Sequence, residues 1–230
     1  MSNRLIQRVA ILAVILIVAT VAGYFNIDLD GEGGQPSGSG GGQSPNTESA
    51  RKALGDLKVA PVGSMAGYSR EEFDHWSSAD EFGWNVPQES CDARDAALIR
   101  DGKDVQVGES CSVESGKWLD PFTGATFTDP SDIDIDHMVP LANAWRSGAS
   151  EWDAVERENF ANAPDVLLSV EDNANQSKGD KGPEAWKPPN QSEWCDYAAR
   201  WTLIKSDYAL TIKPQEKETL TQMLENCDTK

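Results

Sequence analysis

Positive charge is scarce in this 230-residue chain, which has 20 lysines and arginines against 38 aspartates and glutamates and a formal net charge of −18. This balance excludes a protein that coats nucleic acid with a uniformly basic surface, because such a surface needs an excess of lysine and arginine. Any phosphate group that the protein binds must therefore be held by a local site or by a bound cation. A hydrophobic content of 39% and eight tryptophans exclude a wholly disordered chain.

One long uncharged run, VAILAVILIVATVAGYF at residues 9–25, follows Arg4 and Arg8. As a helix it would be about 26 Å long, enough to cross a thin bilayer. The preceding positive charges predict that this end stays in the cytoplasm and that the rest of the chain is exported. We favour an uncleaved membrane anchor at residues 1–25. A cleaved signal peptide is the alternative, since Thr20-Val21-Ala22 resembles a cleavage site.

The segment at residues 26–49 is rich in glycine and serine and is predicted to be a flexible, disordered tether. Residues 50–230 are predicted to fold as one domain, which we expect to be a monomer. The membrane would then be contacted through the N-terminal segment alone. In either case, anchored or secreted, the folded domain is extracytoplasmic.

Cysteine occurs only four times, at Cys91, Cys111, Cys195 and Cys227. In an exported domain an even number predicts disulfides, and a zinc site is the weaker alternative because no C-x-x-C pair occurs. Two helical patterns separated by Lys213-Pro214 predict an antiparallel pair with arms of about 22 Å. The open end of that pair would bring Cys195 to Cys227, which leaves Cys91 to pair with Cys111.

Apolar residues at helical spacing and alternating apolar residues between turn signals together predict an α+β fold. The expected strands lie at 105–107, 111–119, 125–128, 132–136 and 166–170. The expected helices lie at 92–100, 141–146, 151–162 and about 171–178, followed by the C-terminal pair.

The chain has only two histidines, and each follows an aspartate. His137 ends the alternating run Asp132–Asp136, whose isoleucines can pack while its aspartates stay polar. Pro140 cannot continue a strand ladder, so the strand should stop near His137. Adjacent residues within a strand point to opposite faces, and the end of the strand lets neighbouring side chains share one site. No comparable alternating run or strand-ending proline surrounds His75, which we interpret as a structural or surface histidine.

An ordered set of motifs resembles the HNH endonucleases, which carry a ββα-metal finger. The set consists of Asp-His-x-x-Pro at 136–140, Asn162, and Asn-x-x-Lys-Gly at 175–179. The closer resemblance is to the exported branch related to the C-terminal nuclease domain of GmrSD restriction enzymes. It spans about Tyr68 to Cys227 and implies an HNH finger embedded in the disulfide-stapled domain. Further matching segments are 68–73, 91–94, 116–124, 139–142 and 186–189.

The resemblance implies a role for each matching residue. His137 resembles the general base that takes a proton from water. Asp136 and Asn175 resemble the metal ligands, and Asn173 is an alternative to Asn175. Asn162 resembles the residue that holds the loop carrying the base, although it is equally well explained as a helix end.

Two oxygen ligands favour Mg²⁺, with Mn²⁺ as an alternative and Zn²⁺ less suited. Lys178, Arg94 and Arg146 are candidate phosphate-binding residues, and Lys181 is a weaker one. We expect the neighbouring aspartates to raise the pKa of His137 when no metal is bound. Activity would then fall as the pH drops through about 6.5, where imidazole is protonated.

Together these features predict an extracytoplasmic, metal-dependent endonuclease that hydrolyses phosphodiester bonds of DNA, with RNA as an alternative substrate. Because the sequence shows no recognition helix or basic arm, contacts should be to the backbone and sequence specificity should be low. Two other functions stay open. One is a non-catalytic cell-surface binding domain on the same fold, and the other is a metal-dependent hydrolase of another phosphate or a cell-wall ester.

Overall fold

The structure, a computed structural model, describes residues 46–227. The predicted anchor at residues 1–25 and nearly all of the predicted tether lie outside this range. Within it, none of the helices combines the length and the apolar character needed to cross a membrane.

Seven α-helices and five strands follow one another in a mixed α+β order in the described range, which confirms the predicted fold class. The helices are α1 (Thr47–Asp56), α2 (Ala93–Asp101), α3 (Leu141–Arg146), α4 (Ala154–Asn162), α5 (Asp172–Lys178), α6 (Trp194–Asp207) and α7 (Pro214–Glu225). The strands are β1 (Lys103–Val107), β2 (Val113–Leu119), β3 (Thr126–Phe127), β4 (Ile133–His137) and β5 (Leu167–Glu171).

The strands form two small antiparallel sheets. One has the order β1-β2-β3, and the other pairs β4 with β5 from Ile133 opposite Glu171 to His137 opposite Leu167. Helix α5 begins at the residue after β5, so β4, β5 and α5 are arranged in ββα order. Helices α3 and α4 lie in the chain between the two strands. This arrangement places the end of β4 near α5.

Acidic side chains define where the helices around the site begin. Asp92 and Asp153 each form a capping box, with Asp95 and Glu156 respectively, at the start of α2 and α4. Glu171 accepts a backbone hydrogen bond at the start of α5. Each cap satisfies amide groups that the helix itself leaves unpaired, a contribution of about 1 kcal/mol.

The first helix begins earlier than the composition indicates. Asn46 accepts hydrogen bonds from the backbone amides of Glu48 and Ser49, and α1 runs from Thr47. The last residues of the segment predicted as a disordered tether are therefore helical. Ala50 and Leu54, which α1 buries, explain why the helix docks on the domain.

Two hydrophobic cores meet at the β4–β5 pair. The larger core contains α1, α3, α6 and α7, whereas the smaller one contains α2 and Trp118 of β2. Strand β4 contributes Ile133 and Ile135 to the smaller core, and Met138 just beyond it packs in the larger one. A fully buried side chain of this size contributes about 1.5–3 kcal/mol. The strand that carries the site is therefore held from both sides.

Two disulfides close the domain, with the pairing that the sequence predicts. Cys91 is bonded to Cys111 in the smaller core, and Cys195 is bonded to Cys227. The second bond joins the start of α6 to the residues after α7, at the open end of the antiparallel pair.

Candidate active site

The end of β4 and the middle of α5 face the same cavity, which has a volume of about 230 Å³. Asp136 and His137 are the last two residues of β4, and Asn175 lies on α5. Side chains from the segment before β1 and from α3 complete the wall. The lining residues are Tyr68, Arg70, Ile135, Asp136, His137, Pro140, Leu141, Ala142, Asn175, Gln176, Gly179 and Asp180.

Asp136 is a buried carboxylate with only one of its oxygens paired. Its Oδ1 accepts a hydrogen bond of 2.7 Å from Nζ of Lys178, which also donates to the His137 carbonyl at 3.1 Å. Its Oδ2 is buried without a hydrogen-bond partner. Burial raises the pKa of Asp136, although Lys178 counteracts this effect. An unpaired buried oxygen is costly, so Oδ2 is suited to bind a further cationic or donor group.

Asn175 is oriented by a neighbouring carboxylate. Its Nδ2 donates to Oδ2 of Asp134 at 3.2 Å, which leaves its carbonyl oxygen Oδ1 as an acceptor. Asn173, in contrast, is exposed, donates to Oε1 of Glu171 at 2.6 Å and does not line the cavity. The geometry thus favours Asn175 over Asn173 as a ligand.

These donors fit a hard divalent cation. The unpaired Oδ2 of Asp136 and the amide oxygen of Asn175 are of the type that Mg²⁺ binds, usually together with several waters. No cluster of three or more histidine, cysteine, aspartate or glutamate side chains suited to a metal occurs in residues 46–227. An ion held here would take its remaining ligands from water and substrate.

His137 is only 4% exposed and is held in one tautomer. Its Nε2 lies 2.9 Å from the carbonyl oxygen of Ala161. Because a carbonyl can only accept, Nε2 carries the proton and Nδ1 is left as the basic atom. Burial lowers the pKa of His137 to about 3, outweighing the opposite effect of the Ala161 carbonyl. The expectation that the aspartates raise this pKa is therefore wrong, and the imidazole stays neutral well below pH 6.5.

Asn162 is fully buried and joins two segments. Its Oδ1 accepts from the Ser77 amide at 3.0 Å, and its Nδ2 donates to the carbonyls of Asp74 and Glu158, each at 2.9 Å. It is also the last residue of α4, next to the Ala161 carbonyl that holds His137. Asn162 is thus a helix end, and the segment it holds is the one around His75, while the His137 ring is held by the neighbouring Ala161 carbonyl.

The predicted phosphate-binding side chains are not gathered at the cavity. Lys178 is completely buried, with Nζ 6.0 Å from the centre of the Trp201 ring, so it supports Asp136 and has no access to phosphate. Arg94 does not line the cavity, and its Nη2 is directed at the Ile133 carbonyl at 3.5 Å. Arg146 forms an ion pair of 2.9 Å with Asp180, which lines the cavity. Lys178 is buried because of the way α5 packs, and a charged residue in the sequence does not indicate such burial.

Two residues near the cavity are not among the predicted site residues. Arg70 lines the cavity, and its Nε donates to Nε2 of His75 at 3.2 Å. The His75 ring is half-buried, with its centre 6.3 Å from that of His137. His75, which the sequence analysis interprets as a structural or surface histidine, therefore lies beside the site. The only sequence signal for this region is the segment 68–73, which shares the family resemblance.

Comparisons with known proteins give one family and one relative. The chain matches the family model for the C-terminal domain of GmrSD restriction endonucleases over residues 93–223, a range that includes β4, α4 and α5. A protein from Arthroderma benhamiae described as an uncharacterized secreted protein is 46% identical over 185 residues, which are 80% of this chain and 87% of that protein. No solved structure matches the chain.

Proposed function

Because the chain belongs to the family of GmrSD restriction endonuclease C-terminal domains, we propose that it is an exported, metal-dependent endonuclease. The family indicates nuclease activity and hence a nucleic acid substrate. The finer assignment is an HNH-type ββα site in which His137 is the general base. Asp136 and Asn175 would hold one divalent cation, with Mg²⁺ favoured by their oxygen donors.

The observation that carries this proposal is the unpaired, buried Oδ2 of Asp136 on a cavity shared with His137 and Asn175. A carboxylate with purely structural function would be expected to have both oxygens paired. Here Lys178 saturates only Oδ1. The remaining oxygen, the free Nδ1 of a neutral imidazole and an amide oxygen form a set suited to hydrolysis of a phosphate ester.

The reaction follows from these atoms. Nδ1 of His137 accepts a proton from a water molecule, the water oxygen forms a bond to phosphorus, and the bond from phosphorus to the 3′ oxygen breaks. The leaving oxygen takes its proton from solvent. A bound divalent cation supplies stabilisation of negative charge on the phosphoryl and leaving oxygens. The hydrogen bond from Nε2 to the Ala161 carbonyl keeps the imidazole in the tautomer that this step needs.

DNA is the substrate that we assign, with RNA as the alternative. Within the described residues Arg70 is the single arginine or lysine side chain that lines the cavity, so we expect contact with the phosphate backbone and low sequence specificity. A cation at the site would also provide positive potential in a chain with a net charge of −18. Export is supported by the two disulfides and by the secreted relative. Anchoring through residues 1–25 stays a prediction.

A digestion of circular DNA by the purified full chain tests the proposal. Nicking is expected with Mg²⁺ or Mn²⁺ and none with EDTA, and His137→Ala should lower the rate by about 10³-fold or more. Linear and circular RNA and a small phosphodiester are assayed in parallel. Binding of DNA without any cleavage would favour the non-catalytic binding domain. Cleavage of the small ester alone would favour a different phosphate substrate.

A further inference from the structure

The cavity carries one positive charge on its wall. Arg70 is the sole lysine or arginine that lines it in the described part of the chain, and its side chain is exposed. Apart from the hydrogen bond to His75, no hydrogen bond or ion pair within residues 46–227 involves its guanidinium. Its terminal amino groups Nη1 and Nη2 are therefore available to an anion that enters the cavity.

The hydrogen bonds of His75 fix its role as an acceptor. Its Nδ1 lies 2.8 Å from the Phe73 carbonyl, which can only accept, so Nδ1 carries the ring proton. Nε2 is then unprotonated and accepts from Nε of Arg70 at 3.2 Å. A guanidinium bound through Nε keeps its planar pair of amino groups directed away from that contact. His75 thus limits the orientations that the arginine can adopt.

The segment that carries Arg70 is attached to the rest of the domain at several points. The Phe73 ring packs in the larger core, 6.3 Å from the rings of both Trp145 and Phe160. Nε of Arg157 on α4 donates to the Glu72 carbonyl at 2.9 Å, and Asn162 binds the residues on either side of His75 and Trp76. The same helix, α4, holds His137 through the Ala161 carbonyl. The arginine and the base are therefore placed relative to one element.

We infer that Arg70 binds the non-bridging oxygens of the scissile phosphate and that His75 is the positioning residue for its guanidinium. This inference rests on the proposed function. Two parallel N–H donors match two phosphate oxygens, and charge-assisted bonds of this kind are stronger than neutral ones. They also strengthen as negative charge accumulates in the transition state, so their loss should lower kcat.

Steady-state kinetics of the full chain with Mg²⁺ and bis(4-nitrophenyl) phosphate test both roles. We expect Arg70→Ala to lower kcat about 100-fold and Arg70→Lys to lower it at least about 10-fold, since lysine lacks the paired donors. His75→Ala should lower kcat about 10-fold, whereas His75→Gln, which retains an acceptor, should recover most of the loss. Arg200→Ala, which removes an equal charge away from this cavity, should change kcat less than about twofold.

A structural role for His75 is separated from a positioning role by the double variant. Arg70→Ala with His75→Ala should have the same kcat as Arg70→Ala alone, because His75 acts through the arginine. Millimolar guanidinium should restore part of the activity of Arg70→Ala and none of that of His137→Ala. An active wild type whose kcat is unchanged in Arg70→Ala would overturn the assignment and leave the proposed function standing. An inactive wild type would overturn both, and additive losses would remove His75 alone.

Discussion

Two lysine–carboxylate pairs lie buried in this domain, one at the site and one between α6 and α7. Lys178 and Lys205 are both fully buried, and their Nζ atoms lie 6.0 and 5.9 Å from the ring centre of the same Trp201. Burial lowers the pKa of each lysine, while its carboxylate partner opposes that shift. The two pairs thus have the same type of cation in the same kind of surroundings.

They differ in how completely the carboxylate is paired. Oε1 of Glu216 accepts from Nζ of Lys205 at 2.8 Å and from Nε1 of Trp201 at 2.5 Å, and its Oε2 accepts from the backbone amide of Lys213 at 3.5 Å. Lys205 in turn donates to Ser147 and Thr211. Asp136 has Lys178 on one oxygen and no partner on the other. Full pairing of Glu216 suits a structural role, whereas the unpaired Oδ2 of Asp136 leaves a position for a further group, as the proposed function requires.

The largest effect that tests this difference is expected from Asp136→Asn. The amide keeps the size of the side chain but removes the negative charge, so activity on circular DNA should fall by about 10³-fold or more, equivalent to about 4 kcal/mol. Asp132→Asn, an exposed aspartate in the same alternating run, is the matched control and should stay within about twofold. Equal activity in the two variants would show that Oδ2 of Asp136 has no role in the reaction.

The next effect concerns Glu216. Glu216→Ala leaves Lys205 buried without its carboxylate and Trp201 Nε1 without an acceptor, so the free energy of unfolding should fall by about 3 kcal/mol. The loss is at the low end of the usual range because Lys205 can release its proton. Urea unfolding measures it, with the exposed Glu218→Ala as a control expected within about 0.5 kcal/mol. The activity per folded molecule should not change. A large loss of kcat at full folding would place this pair in the site as well.

Removing both members of the structural pair should cost less than removing one. In Lys205→Met with Glu216→Leu no charge remains buried, and the free energy of unfolding should fall by only about 1–2 kcal/mol, chiefly because Trp201 Nε1 stays unpaired. Urea unfolding of the double variant beside Glu216→Ala gives the comparison. A double variant less stable than the single one would mean that the pair contributes more than its desolvation costs.

The smallest effect comes from a carboxylate that has no lysine paired to it within the described chain. Burial, with a contribution from Asp196, raises the pKa of Glu193 to about 7 against the opposing charge of Arg200. The protonated form is therefore favoured in the folded state, and its stabilisation is lost as the pH rises from about 4.5 through 7. The difference in free energy of unfolding between Glu193→Gln and the wild type should therefore depend on pH. It should favour the variant by about 1 kcal/mol more at pH 8 than at pH 5. The same gain at both pH values would contradict the raised pKa.

Much of the fold could be predicted from local patterns. The alternation of apolar and polar residues predicted β4 and its end before Pro140. The similar lengths of α6 and α7 predicted the disulfide between Cys195 and Cys227. Helix α1 was missed in part because glycine and serine dominate the composition before it, whereas Asn46 and the buried face of the helix determine its start. Composition averages over a segment and does not detect a single capping residue.

Only those site residues that belong to the sequence motifs could be predicted. Asp136, His137 and Asn175 belong to a recurring pattern, and the fold places them on one cavity. The inward direction of Lys178 and the approach of Arg70 depend on packing between distant segments, which spacing does not encode. The direction of the pKa shift of His137 was wrong for the same reason, because burial lowers this pKa, the charges of Arg70 and Lys178 lower it further, and only the Ala161 carbonyl opposes them.

Helix α4 connects two parts of the chain that are far apart in sequence, the end of β4 and the segment at residues 70–77. Ala161 holds the imidazole, Asn162 holds the backbone on both sides of His75, and Arg157 holds the segment just after Arg70. The imidazole of His137 and the segment that carries Arg70 are thus both attached to one helix. Since a misplacement of about 1 Å can reduce a rate about 100-fold, attachment to one shared helix would keep the geometry of the proposed site constant when the surrounding loops change.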